Sequence, residues 1–272
     1  MHYTKMHGAG NSFIVIEDLR GELGSEDLGV LASRLCAAEG VDGMIVLKAS
    51  AEADFDMLFF NSDGSAGEMC GNGARCVSRY AVEHGIAKDA GNIRFRAAAG
   101  EITGRRIDEE LYEIRLNDPS VVWLGCRAQT EHGAEECDYV ELGEPGIPHA
   151  VVKVTQAELD ALDALRERGR RLRRSPSFPR GANVSFYCPT GKDSVRARTF
   201  ERGVEDFTLA CGTGSGALAV CLALSGAIPD GELDVDMPGG RLHVSLRVAG
   251  GRARDMLLAG PTAVVGEGEF EI

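Results

Sequence analysis

Cys70-Gly71-Asn72-Gly73 and Cys211-Gly212-Thr213-Gly214 decide the reading of this chain, because they are one short pattern written twice. The cysteines stand 211 − 70 = 141 residues apart. Each tetrapeptide opens a largely apolar run that closes on a glycine, Gly85 and Gly226, again 226 − 85 = 141 apart. Beyond each run the pattern changes to strand, glycine turn and strand. The first copy has Ile93 to Arg96, Ala99-Gly100 and Glu101 to Ile107, and the second has Leu233 to Asp236, Gly239-Gly240 and Arg241 to Val248. Such self-similarity implies two copies of one α/β (α+β) unit. We expect a first half over residues 1–116 and a second over 117–263, with a last strand near 264–272 returning to the first half.

Composition narrows the function. The chain has 272 residues, 44% hydrophobic and 26% charged, enough to bury a full core and unlike a disordered or fibrous sequence. Lys+Arg 29 against Asp+Glu 42 leaves a net charge of −13, which repels phosphate backbones, so nucleic acid is not expected as a partner. Met1 to Gly8 lacks the basic flank and apolar run of a secretory signal, and the expected location is the cytoplasm. Phe207 to Pro229 is uncharged, but its glycines break it. The remaining Ala217 to Ile228, as a helix, would cover only about two-thirds of the roughly 30 Å of bilayer hydrocarbon. A buried helix is expected, not a membrane span. Eight cysteines without a CxxC pair suggest neither a disulfide framework nor a zinc site, so no metal is expected.

Local signals fill in the rest. Ser25 is positioned to cap a helix with Leu28, Leu31 and Leu35 on one face, ended by Gly40. Thr155-Gln156-Ala157-Glu158 is a capping box opening a second helix. That helix ends in Arg166, Arg168, Arg170, Arg171, Arg173 and Arg174, read as cations at the negative end of a helix dipole in preference to a nucleic-acid patch.

The two cysteine loops carry the chemistry. A thiol at a helix N-terminus meets unsatisfied N–H groups and the positive dipole end, which lower its pKa toward neutrality. Glycines leave backbone N–H groups open to a carboxylate. Two such loops in related halves would aim thiols at one carbon from opposite sides. One thiolate then removes the α-proton while the other thiol delivers a proton to the far face. Gly212-x-Gly214-x-x-Ala217 also matches a dinucleotide fingerprint, with Thr208-Leu209-Ala210 as its strand, so a nicotinamide dehydrogenase is the remote alternative. Against it, Met237-Pro238-Gly239-Gly240 reads as a hairpin and not a crossover. A pyridoxal enzyme lacks a lysine in a distinctive context.

His7-Gly8-Ala9-Gly10-Asn11-Ser12-Phe13 precedes Phe60-Asn61-Ser62-Asp63-Gly64-Ser65 and Met69-Cys70-Gly71-Asn72-Gly73-Ala74-Arg75-Cys76. Gly181-Ala182-Asn183-Val184-Ser185-Phe186, Arg198-Thr199-Phe200-Glu201-Arg202-Gly203, Ala210-Cys211-Gly212-Thr213-Gly214 and Met237-Pro238-Gly239-Gly240 follow. In this order the motifs resemble the diaminopimelate epimerase family, cofactor-independent enzymes interconverting L,L- and meso-diaminopimelate for lysine and peptidoglycan synthesis. The resemblance implies two pseudo-symmetric domains, each a central helix wrapped by curved, mostly antiparallel sheet, in a homodimer. It implies Cys70 and Cys211 as the two bases, with no cofactor. It further implies Gly71, Asn72, Gly212 and Thr213 as donors to the reacting carboxylate, and Asn11, Asn61, Asn183, Glu201 and Arg202 around the rest of a small amino-acid substrate. Arg202 suits the distal carboxylate and Glu201 the ammonium.

Cys76, about a turn into the helix, is expected to be packing, and His149 structural or supporting. Oxidation is expected to join Cys70 to Cys211 as a disulfide. Three positions depart from the family pattern. Ile147 stands where an asparagine is usual, Ser12 replaces an aspartate, and Gly43 replaces a glutamine in some members. The alternatives carried forward are a racemase of another amino acid such as histidine, and a catalytically silent ligand-binding member of the fold.

Overall fold

A computed structural model describes every residue except Glu68, Met69, Ala99 and Ile272, so Ala99 of the first glycine turn, Met69 of the cysteine motif and the last residue of the returning strand lie outside the described residues. The chain divides into two compact units, Met1–Arg115 with Ala259–Ile272, and Leu116–Leu258. The return to the first unit therefore begins at Ala259, earlier than residue 264.

In the first unit the elements run β1 (His2–Gly8), β2 (Asn11–Asp18), α1 (Leu28–Glu39), β3 (Gly43–Lys48), β4 (Phe55–Asn61), β5 (Ala66–Gly67), α2 (Gly71–Glu83), β6 (Ile93–Ala97), β7 (Gly100–Arg106) and β8 (Leu111–Arg115). The second unit holds β9 (Pro119–Thr130), β10 (Gly133–Leu142), β11 (Ile147–Lys153), α3 (Gln156–Asp160), α4 (Leu162–Arg173), β12 (Asn183–Pro189), β13 (Ser194–Phe200), α5 (Gly212–Leu224), β14 (Glu232–Met237) and β15 (Gly240–Ala249). The long β16 (Arg252–Glu269) begins in the second unit and ends in the first.

The strand order in the first unit is β1-β2-β3-β4-β6-β7-β8-β16, and β16 pairs back onto β1 from His2↔Glu269 to Gly8↔Thr262. The sheet thus closes around α2, whose residues Gly71 to Ser78 are all buried. A helix buried on every side must be a core element. In the second unit the order β9-β10-β11-β12-β13-β14-β15-β16 curves around α5, which contacts six of these strands from β9 to β15 and is likewise buried nearly all round.

The repeat is written in the pairing directions as well as in the motifs. In the first unit β2 pairs β3 in parallel across α1, β3 pairs β4 antiparallel, and β4 pairs β6 in parallel across α2. In the second, β11 pairs β12 in parallel across α3 and α4, β12 pairs β13 antiparallel, and β13 pairs β14 in parallel across α5. Parallel neighbours need a crossover, and each crossover here is helical. The matched registers open with Phe13↔Gly43 in one half and His149↔Asn183 in the other. Phe13 therefore corresponds to His149, Gly43 to Asn183 and, two residues earlier, Asn11 to Ile147.

Three local expectations change. The cap of α1 is Asp27, whose carboxylate accepts from Gly29 N at 3.0 Å and Val30 N at 3.2 Å, and not Ser25, which lies too far upstream to reach those N–H groups. Gly40 does end that helix in the left-handed conformation, φ 63°. The capping box at Thr155 forms, but the helix stops at Asp160 because Ala161, at ψ 67°, is not helical, and α4 restarts beyond it. Thr208 to Ala210 form no strand; β13 stops at Phe200, and Phe207 makes only an isolated bridge to it. The strand that a dinucleotide fingerprint needs is missing, and β14 and β15 do meet in a hairpin at Met237↔Gly240.

Each arginine of α4, and Arg174 at its cap, faces a carboxylate, with Glu135 and Glu205 serving two arginines apiece. Arg166 pairs with Asp206 at 2.8 Å, Arg168 with Glu135 at 2.7 Å, Arg170 with Glu167 at 2.5 Å, and Arg173 with Glu205 at 3.0 Å. Arg171 and Arg174 lie farther, at 3.8 and 3.4 Å, from Glu135 and Glu205. The run is a neutralised face and offers no basic patch. Among the described residues, no helix is long and apolar enough to cross a membrane, and no cluster of His, Cys, Asp or Glu could hold a metal.

Candidate active site

Each cysteine loop ends in the same local geometry. Cys70 is the N-cap of α2 at φ −131°, ψ 110°, and Cys211 the N-cap of α5 at φ −125°, ψ 108°. An extended cap residue turns its side chain toward the first N–H groups of its helix. The Cys211 sulfur accepts from Gly214 N at 3.3 Å and lies 3.6 Å from the Thr213 hydroxyl. Gly214 is required by space, because a Cβ there would stand 2.8 Å from both Ser185 Oγ and Thr199 Oγ1 and 3.2 Å from the Cys211 sulfur.

In the first unit a hairpin carries Asn11 to the cysteine loop. Gly8 and Asn11 pair across a two-residue turn in which Ala9 and Gly10 both take positive φ, 51° and 92°. Gly8 packs so closely on α2 that a Cβ would meet the Asn72 carbonyl oxygen at 2.8 Å. That approach lets the Asn72 amide donate to Asn11 Oδ1 at 2.5 Å. Asn72 Oδ1 in turn accepts from the Arg75 guanidinium at 2.7 Å, and a second Arg75 nitrogen donates to the Gly71 carbonyl at 3.3 Å. Asn61 lies at the end of β4 opposite Gly43, exposed, its amide donating to Ser65 Oγ at 2.9 Å. Gly71 and Asn72 are buried and Cys70 is half-buried.

In the second unit Asn183, Glu201, Arg202, Cys211, Gly212 and Thr213 fall on β12, the end of β13 and the start of α5. Asn183 Oδ1 accepts from Arg202 N at 2.7 Å, leaving its amide N–H groups as the part that can meet a ligand. Arg202 is exposed and donates to the Arg180 carbonyl at 3.0 Å. Glu201 accepts from Thr208 Oγ1 at 2.5 Å and faces the Cys211 thiol. Burial pushes the Glu201 carboxyl up, against the pull of Thr208 and Cys211.

The expected lowering of both thiols by their helix N-termini fails at Cys211. Burial comes first, with the Glu201 charge next, and together they push this thiol well above its ordinary value despite the Gly214 N–H and Thr213 hydroxyl. Cys76 behaves as expected of a packing residue, fully buried and pushed up to about 12 by burial. His149 is fully buried, neither ring nitrogen has a hydrogen-bond partner among the described residues, and burial with the nearby Arg202 charge lowers it to about 3. It is a neutral imidazole at the position of Phe13 in the other half.

Sequence reasoning passed over Arg75, which the structure ties to Gly71 and Asn72 of the first cysteine loop. The signal was there: an arginine five residues beyond Cys70, inside a helix whose counterpart after Cys211 carries no charged residue and has Gly216 at the matching position. Thr208 and the buried Ser185···Thr199 hydroxyl pair at 3.0 Å had no such signal, since only the tertiary fold brings them to Glu201 and Gly214.

Chemically, each unit offers one thiol at the head of a buried helix with glycine N–H groups beside it, surrounded by the amides of Asn11, Asn61 and Asn72 in the first unit and by Asn183, Glu201 and Arg202 in the second. The family model for diaminopimelate epimerase matches residues 3–119 and 144–262. A diaminopimelate epimerase from Hydrogenobaculum sp. (strain Y04AAS1) is 35% identical over 280 residues, covering 98% of each chain. One from Chlorobaculum tepidum is 37% identical over 270 residues, covering 98% of this chain and 100% of the relative. The crystal structure of a phenazine biosynthesis protein of the PhzF family from Bacillus anthracis matches with TM-score 0.79 at 17% identity, covering 100% of this chain and 99% of that one, and shares the fold. The paired N-cap cysteines, the repeat that carries them and the near full-length relatives lead to one conclusion: this chain belongs to the diaminopimelate epimerase family.

Proposed function

We propose that the protein is an isomerase that interconverts L,L- and meso-diaminopimelate without a cofactor, in lysine and peptidoglycan precursor synthesis. The observation that carries this reading is the pair of N-cap cysteines, one per repeat unit, with backbone angles that agree within a few degrees. One sulfur, as thiolate, takes the α-proton; the other, as thiol, protonates the opposite face. The N–H groups at Gly71, Asn72, Gly212 and Thr213 hold the reacting carboxylate as negative charge develops on it. Asn11, Asn61, Asn183, Glu201 and Arg202 read the distal amino-acid head, Arg202 through its carboxylate. The protein works in the cytoplasm as a homodimer, which light scattering tests.

Ile147 favours a second substrate as the point of comparison. It occupies the strand position that Asn11 holds in the other half, and its side chain offers no hydrogen bond there. Incubation of the reduced protein with L,L-diaminopimelate, and separately with L-histidine, followed by chiral chromatography, tests both. Meso-diaminopimelate formed without added cofactor supports the proposal; D-histidine alone replaces it with histidine racemisation.

A further inference from the structure

Arg75 is among the largest fully buried side chains of the described residues, and it is charged. Taking a guanidinium out of water costs several kcal/mol unless an anion or a full set of acceptors replaces the solvent. Its acceptors are the Gly71 carbonyl and Asn72 Oδ1, both in the first turn of α2, while its Nε has no partner among the described residues. Among the described residues no carboxylate pairs with it; the ionisable groups that act on it are Cys76 and Cys70. The carboxylates on neighbouring elements are engaged elsewhere. Glu17 of β2 meets Tyr80, Glu113 of β8 is bound by Arg105 at 2.6 Å, and Arg79 on α2 takes Glu83 at 2.8 Å. On β1, the buried His7 Nδ1 has no hydrogen-bond partner among the described residues.

Of the two sulfurs, Cys76 is sealed in the core, whereas Cys70 is half-buried at the open end of the helix. The guanidinium folds back along α2 toward that end, as its bond to the Gly71 carbonyl four residues earlier shows. We propose that Arg75 is a positioning residue that holds Cys70 as the resting thiolate, so that the free enzyme carries its base on the first half and its acid, the Cys211 thiol beside Glu201, on the second. Through Asn72 the same guanidinium fixes which end of the amide faces Asn11, and so presents the Asn11 N–H groups outward. Helix α5 of the second half carries no cation. Its counterpart position, 75 + 141 = 216, is Gly216, where a Cβ would meet the Leu116, Met256 and Leu142 side chains between 2.9 and 3.2 Å. The burial that keeps the Cys76 thiol high, at about 12 even beside Arg75, leaves Cys70 as the sulfur able to answer the charge.

The proposal rests on the two-thiol reading but is tested without substrate. Iodoacetamide alkylation of the reduced protein, followed across pH by mass spectrometry of the peptides containing Cys70 and Cys211, gives the midpoint of each thiol. In the wild type the Cys70 midpoint falls at least one pH unit below that of Cys211. Arg75→Met raises the Cys70 midpoint by one unit or more and leaves Cys211 where it was, whereas Arg75→Lys, which keeps the charge, retains the low midpoint. A wild-type Cys211 midpoint at or below that of Cys70 overturns the proposal, whatever the variants do. So does a natively folded Arg75→Met whose Cys70 midpoint is unmoved. Failure of the epimerase assay with this asymmetry intact would count against the substrate reading and leave the role of Arg75 standing.

Discussion

At Cys211 a helix N-terminus competes with burial for one sulfur atom. The Gly214 N–H and Thr213 hydroxyl favour the thiolate, but desolvation and the Glu201 charge outweigh them, so this residue rests as a thiol. Cys70 has the same backbone conformation but a buried guanidinium behind it. A pair that begins as one base and one acid can invert a carbon in a single pass without waiting for either to titrate. Replacing either cysteine with alanine removes one partner of a coupled transfer, and steady-state conversion of L,L- to meso-diaminopimelate is expected to fall by about 10²-fold or more for each. The cysteines, glycines and Asn11 were legible in the sequence because the repeat marks them twice or the motif marks them once. The state of Cys211 was not, because it depends on Glu201, which reaches the loop only through the turn after β13.

At the scale of the element, the two helix starts differ in how tightly they are built. A Cβ at Gly214 would press on two hydroxyls that already bond each other and on the Cys211 sulfur, all held by strands β12 and β13 and the cap itself. Gly214→Ala is expected to cost about 1–3 kcal/mol of stability by overpacking and to lower activity with it. A Cβ at Gly73 would meet chiefly the Cδ1 end of Ile45, 2.9 Å away, which can turn aside. Gly73→Ala should therefore stay within about 1 kcal/mol of wild type, the added strain offset by better helix propensity. Urea titrations of both variants check the contrast. The same method separates the two candidate caps of α1, since Asp27→Ala should lose about 1 kcal/mol and Ser25→Ala nearly nothing. Capping residues are common near any helix start, so the sequence located this helix and its Gly40 terminus but chose the wrong donor-facing side chain. The break at Ala161 was equally hidden, since alanine carries no signal against helix.

At the scale of the molecule, the repeat accounts for most of what could be read in advance. Two cysteine loops 141 residues apart, each followed by a hairpin of strands, implied two related units, and the parallel and antiparallel pairings recur in the same sequence in both. The closure of β16 onto β1 was legible only as a returning strand, because register is set by partners far apart in the chain. The repeat also exposes its exceptions. His149 lies where the other half has the apolar Phe13, buried and neutral, with its pKa lowered to about 3. The unfolded chain binds a proton at this histidine below about pH 6.5 and the folded protein does not, so stability is present above that pH and is lost as pH falls toward the folded value. Between pH 7 and pH 5 the wild type should lose about 2 kcal/mol more than His149→Gln in urea unfolding; parallel losses would show that the imidazole takes its proton in the folded state. The central claim, that two thiols act on opposite faces of one carbon, is tested most directly by proton NMR and mass spectrometry of L,L-diaminopimelate incubated with the reduced protein in D₂O without cofactor or metal. The account predicts meso product carrying one deuterium at the inverted carbon from the first turnover, while the remaining L,L-substrate still carries protium. Meso product that keeps its original α-proton, or no exchange at all with free thiols, would contradict it.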